Sequence, residues 1–191
     1  MEKGAALKVA LDAGHGSRGK SSHTGAAANG LIEDEIALDL VKRIGHHIRL
    51  AGYQTLLTRA DEKMTALSAR GKMAVVDNCD LFVSIHCNAG PSIAQGVEAF
   101  VAEGDTRSAE VAKVLAGCVA AKGMVNRGVK WDSQSQHSNL RVLRDTYKHM
   151  PAMLLEIGFL TNARDALHLK DKFFREAVSI EIAKACIKCI K

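Results

Sequence analysis

The chain has 191 residues, 47% of them apolar, with 26 Lys and Arg against 21 Asp and Glu for a net charge of +5. This length suits one domain with a sizeable core, and no apolar run approaches the roughly 20 residues that cross a bilayer, which speaks against membrane insertion. The basic balance suits acidic partners such as nucleic acid, an anionic membrane surface or an anionic wall polymer, but with aromatics at 4% and no Lys/Arg block a base-stacking nucleic-acid surface is disfavoured.

The first residues, MEKGAALKVALDAGHG, carry an apolar stretch too short for a signal peptide. That leaves a protein made without an export signal or a mature fragment. Lys8 to Asp12 reads as a strand that breaks into Gly14-His15-Gly16. Glycines on both sides let the backbone turn sharply and leave the imidazole accessible. From Glu33 to Ala51, Ile36, Leu40, Ile44 and Ile48 recur every four residues and predict an amphipathic helix that Gly52 ends. Residues 53–59 read as a strand, Thr65 to Val76 as a helix, and 80–86 (DLFVSIH) as a strand of the buried type. Another strand follows at 96–101, then a helix from Ser108 to Lys122 that stops at Gly123. Strands at 140–144 (LRVLR) and 152–159 (AMLLEIGF) precede closing helices at Arg164 to Leu169 and Asp171 to Ile190. This alternation predicts a single α/β domain over residues 1–191, with a largely parallel, mixed sheet of about six strands flanked by helices. No separate wall-binding module fits this length. The five cysteines, Cys79, Cys87, Cys118, Cys186 and Cys189, are odd in number and have apolar neighbours, which suits free, half-buried thiols. Cys186 and Cys189, a lone C-x-x-C in a helical pattern, read as structural.

In such sheets ligands bind beyond the carboxyl ends of the strands. His15 follows the first strand, His86 ends DLFVSIH, and Glu156 lies near the end of AMLLEIG; Glu33 opens the first long helix. A lone histidine is more often a satisfied core residue, and Glu33 could simply favour the positive end of its helix. Glu156 is harder to dismiss, because a carboxylate among Met153, Leu154, Leu155 and Ile157 is costly without a partner. Two histidines and one carboxylate make the three-ligand set of a catalytic zinc site, and a further carboxylate serves as general base in metal-assisted hydrolysis.

These stretches resemble the zinc-dependent N-acetylmuramoyl-L-alanine amidases of the amidase 3 family, from about Lys8 to about Leu169. LDAGHG is similar to the family's first metal motif, with His15 as ligand, and GLIEDEIALDL to its glutamate motif, with Glu33. LLTRADEKMTALSARGKMA matches the Thr-Arg, Asp, Leu and Arg pattern through Thr58, Arg59, Asp61, Leu67 and Arg70. DLFVSIHCNA supplies His86 as third ligand, with Asn88 after it, and NRGVK resembles an Arg-Gly-x-Lys element. LRVLR and MPAMLLEIGFLTN match the closing motifs, which puts Glu156 on the catalytic glutamate. The loop at 16–30 departs from the family: Ser17, Ser21, Ser22, His23 and Thr24 stand where aspartate and more glycine are usual. His23, Asp34 and Glu35 stay open as rival ligands beside Glu33. Cys87 should face away from His86 if the strand continues. His46, His47, His137, His149 and His168 fall outside the motifs and read as surface or structural.

The resemblance implies hydrolysis of the amide between N-acetylmuramic acid and L-alanine in peptidoglycan at the cell wall, periplasmic or extracellular, with zinc as cofactor. The residues alone support only metal-assisted hydrolysis, with Glu156 moving the proton. Asn88, Arg70 and Arg141 are candidate substrate or supporting groups; the arginines could equally hold structural ion pairs. Rival readings are a zinc amidohydrolase acting on a small N-acyl amino acid, and a noncatalytic wall-binding or nucleic-acid-binding module. Some family members cover the zinc with an inserted helix. Here one strand and one helix fill the stretch between His86 and Arg127, so an open site is expected.

Overall fold

The computed structural model describes residues 7–16 and 23–190. Ser17, Ser21 and Ser22, and residues 1–6 of the amino-terminal stretch read for an export signal, lie outside them. Its strands are Lys8–Ala13 (β1), Ala27–Ala28 (β2), Leu31–Ile32 (β3), Gln54–Leu57 (β4), Leu81–Asn88 (β5), Val97–Val101 (β6), Asn126–Trp131 (β7) and Ala152–Phe159 (β8). Its α-helices are Glu33–Leu50 (α1), Leu67–Val76 (α2), Thr106–Ala120 (α3), Arg141–Arg144 (α4), Ala163–Lys170 (α5) and Lys172–Ile190 (α6). β2 and β3 pair as a separate hairpin, and the other six strands form one sheet in the order β4-β1-β5-β8-β6-β7. All neighbours are parallel except β6 and β8, so β6 and β7 run against the other four. No helix among the described residues is long and apolar enough to cross a membrane.

Alternation along the strands gives the sheet two different faces. Val9, Leu11, Val83, Ile85, Met153, Leu155, Ala99 and Val101 turn to one face, where α1, α3 and α6 cover them completely. Leu40, Ile44 and Ile48 of α1 are fully buried there, and each contributes roughly 1.5–3 kcal/mol by leaving water. The other face holds a smaller cluster of Ala10, Phe82, Ala152, Leu154 and Phe100 under Ala74, Val142 and Leu143. That cluster covers only part of the face, and the row that follows it, His86, Glu156 and Glu98, is left at an open cleft. These three are register partners across β5, β8 and β6.

Three expectations are corrected. LRVLR is not a strand but the short helix α4, closed by Arg144 N–H to Leu140 O at 3.0 Å and Asp145 N–H to Arg141 O at 2.9 Å. Its adjacent apolar pair, Val142 and Leu143, packs as one helical turn against the smaller cluster, where a strand would send the two to opposite faces. The sixth strand of the sheet is instead β7, formed by NRGVKW. β5 does not end at His86 but runs on to Asn88, with an irregularity in its pairing to β8 between those two residues.

Candidate metal centre

His15 follows β1 in a left-handed conformation, φ 58°, uncommon for a residue other than glycine. Two buried arginines hold it there. Arg59 donates to Gly14 O and Asp34 O, both at 2.9 Å. Arg70 donates to Ala13 O at 2.6 Å and to His15 O, and pairs with Asp12 at 2.9 Å. Asp12, only 1% exposed, also accepts from Thr58 and from Ser84 at 2.6 Å. A chain of buried polar groups thus fixes the loop from below. Gly14 answers a second need: a Cβ there would overlap the His86 ring.

Glu33 arrives by another route. The hairpin β2–β3 turns on Asn29 (φ 52°) and Gly30 (φ 74°), the left-handed pair of a tight hairpin. It delivers Glu33 as the first residue of α1, where Ala26 N–H reaches Oε2 at 2.8 Å and Cys87 N–H reaches Oε1 at 3.2 Å. Oε1 also lies 3.0 Å from His15 Nε2 and 2.8 Å from His86 Nδ1. Burial opposes ionisation of Glu33, but the hydrogen bonds from His15 and His86 outweigh it and hold the carboxyl well below the usual carboxylate range. Donor atoms of His15, Glu33 and His86 all lie within 4.8 Å of one another, and among the described residues no other group of three His, Cys, Asp or Glu does so.

Glu156 sits beside His86 on the neighbouring strand and lines the same cleft. Its Oε2 is buried with no hydrogen-bond partner among the described residues. Burial pushes its carboxyl well above the usual value, and the charges of Glu33 and Glu98 add to this. Cys87 points to the packed face and is 2% exposed. Burial, with Glu33 and Glu156 nearby, raises its thiol and keeps it protonated, unlike a metal ligand.

The remaining candidates fall around this group. His23 is exposed and lines the cleft but stands outside the donor group, and so does Asp34, whose backbone is tied to Thr24 and Arg59. Glu35 is exposed. Asn88 Nδ2 donates to Glu98 at 2.7 Å. Arg70 directs its donors to the loop beneath His15, whereas Arg141 lies at the rim, 57% exposed and 3.3 Å from Asp145. His137 is exposed, in keeping with the sequence reading, and it also lines both parts of the cleft, with Ser135 and Leu140 on the same wall. Glu98 also lines it and was missed, as do Arg127 and Lys130, which the NRGVK element covered without giving them a role. β6 and β7 run in reverse, so Glu98 and Arg127 lie near the beginnings of their strands, where a rule about carboxyl ends does not look. The signal available was Glu98 itself, a charge inside the apolar run VEAFV. Between His86 and Arg127 the chain forms β6 and α3.

Comparison with known proteins follows the same outline. Residues 9–188 match a family described as N-acetylmuramoyl-L-alanine amidase. The chain is 32% identical over 169 residues to the N-acetylmuramoyl-L-alanine amidase LytC of Bacillus subtilis, covering 88% of this chain and 32% of LytC. It is 36% identical over 176 residues to the endolysin of Bacillus phage SPP1, covering 90% of this chain and 61% of that protein. The chain therefore spans less than two thirds of either relative. Among solved structures, the catalytic domain of the amidase CwlV from Bacillus (Paenibacillus) polymyxa superposes with a TM-score of 0.83 at 29% identity, over 95% of this chain and 97% of that one.

Proposed function

Since the chain belongs to the Amidase_3 family of N-acetylmuramoyl-L-alanine amidases, we propose that it is a peptidoglycan hydrolase that cleaves the amide between the lactyl group of N-acetylmuramic acid and L-alanine. Residues 9–188 form its catalytic domain, and it acts at the cell wall. The observation that carries this reading is the convergence of His15, Glu33 and His86 within 4.8 Å beside a buried carboxylate whose Oε2 has no partner among the described residues.

The donor set fits zinc. Two imidazoles and a carboxylate are the protein ligands of many catalytic zinc sites, and Glu33 remains ionised under burial. When bound, zinc lowers the pKa of a coordinated water toward about 7 and polarises the amide carbonyl. The chain's own residues do the rest. Glu156 takes a proton from the attacking water and passes one to the leaving amine. Its raised carboxyl pKa favours holding that proton between the two transfers. Arg59 and Arg70 keep the His15 loop in place, so the ligands need little reorganisation.

Digestion of purified peptidoglycan tests the reading. The expected product is a new amino-terminal L-alanine, from protein carrying about one zinc per chain. Chelation should abolish release and added zinc restore it. Turnover of small N-acyl amino acids without release from peptidoglycan would instead identify a different amidohydrolase.

A further inference from the structure

Glu98 is 4% exposed, and both its oxygens are engaged. Oε1 accepts from Asn88 at 2.7 Å, while Oε2 accepts from Arg127 Nε and Lys130 Nζ, each at 2.6 Å. One buried anion therefore faces two cations, and one positive charge is in excess on the cleft wall. Neither cation is used up. Arg127 lies 4.9 Å over the Phe159 ring and reaches Gln95 O only at 3.4 Å; its Nη2 has no partner among the described residues. Lys130 gives one of its three hydrogens to Glu98 and lies 5.8 Å over the Phe100 ring, and its two others have no hydrogen-bond partner among the described residues. Both are about a third exposed and line the cleft of about 530 Å³ that also holds His86 and Glu156. Glu98 acts as a bracket: it sets the position of two cations on an edge strand and neutralises only one.

We propose that Arg127 and Lys130 form a carboxylate-binding site for the peptide leaving the cleaved amide. This rests on the amidase reading above. β7 lies two strands from Glu156 on β8, a gap of about 10 Å. Both cationic side chains lean back over β6 to reach Glu98, which shortens it. Two extended residues span about 7 Å, so the carboxylate belongs to the second residue after the cleaved bond. A guanidinium and an ammonium sharing one carboxylate give charge-assisted hydrogen bonds that a neutral amide in its place cannot match.

Two muramoyl-peptides that differ only in the α-carboxyl of the second residue, free in one and a primary amide in the other, provide the test. The quantity read is the ratio of their kcat/KM values. The wild type should favour the free acid by about 10–100-fold. Arg127→Gln and Lys130→Gln should each pull the ratio toward one, and Lys130→Arg should preserve it. Each single variant leaves Glu98 one cation. A wild type that cleaves both substrates equally overturns the site and leaves the amidase reading standing. So do Gln variants that slow both substrates by one common factor, since that marks a role in the scaffold. A wild type that cleaves neither refutes the amidase reading itself.

Discussion

Glu33 and Glu156 are the same residue type with opposite electrostatics. Glu33 lies between two imidazoles and two backbone N–H groups, all of which favour its charge. Glu156 has a buried oxygen with no partner and two carboxylates nearby, all of which oppose it. A ligand and a proton carrier need these two environments. Glu33→Ala should therefore give a metal-poor protein, and Glu156→Ala a metal-replete one slowed about 10²–10⁴-fold. Elemental analysis beside lysis rates decides between them; zinc lost from Glu156→Ala and kept in Glu33→Ala would reverse the roles. At this scale the sequence was legible wherever a residue broke its surroundings. His15 stood between glycines and Glu156 inside an apolar run. What the sequence did not show was the full reason for Gly14. A turn explains its freedom, but only packing against a histidine 72 residues away explains why no side chain fits.

Among the elements, α1 and α6 were legible from their periodicity, while the ties between them were not. Asp39 on α1 accepts from Arg43 at 2.9 Å and from Arg175 on α6 at 2.6 Å, and Glu176 accepts from Arg43 and from His47 at 2.7 Å. Partial burial opposes the charge on Asp39, but the two arginines prevail and lower its pKa. An acid whose folded pKa is depressed stabilises the fold above its unfolded value and loses that contribution as pH falls through the folded one. Asp39→Asn should thus lower stability at neutral pH by about 0.5–1 kcal/mol, a modest figure because Asp39 is a third exposed. The deficit should shrink once pH drops below about 3.9. Urea denaturation of both proteins across that range checks it, and a deficit independent of pH would show that the charge is not its source. LRVLR was misread for a related reason. Five residues with two apolar neighbours fit either period, and only the cluster above Phe82 selects the helix.

For the whole molecule, one sheet performs two tasks with its two faces. Three helices seal one face, and the partial cover of the other leaves a row of polar side chains running from His86 through Glu156 to Glu98. The α/β class, the mixed sheet and the left half of this row could be read in the sequence, because strands alternating with helices put functional groups beyond carboxyl ends. The right half could not, because the reversal of β6 against β8 is a long-range pairing with no local mark.

The three candidate metal donors come from supports of unequal stiffness. His86 stands on a central strand paired on both sides and His15 on a loop braced by Arg59 and Arg70, whereas Glu33 opens α1 directly after a hairpin of two-residue strands. The ion should then act as a latch, tying the hairpin to a surface already set. Amide hydrogen exchange makes this visible, since each amide reports its own opening. After chelation, residues 23–33 should exchange faster, while Leu81–Ile85 and Met153–Leu155 keep their protection. Equal loss in both groups would mean that the ion holds the sheet together as well.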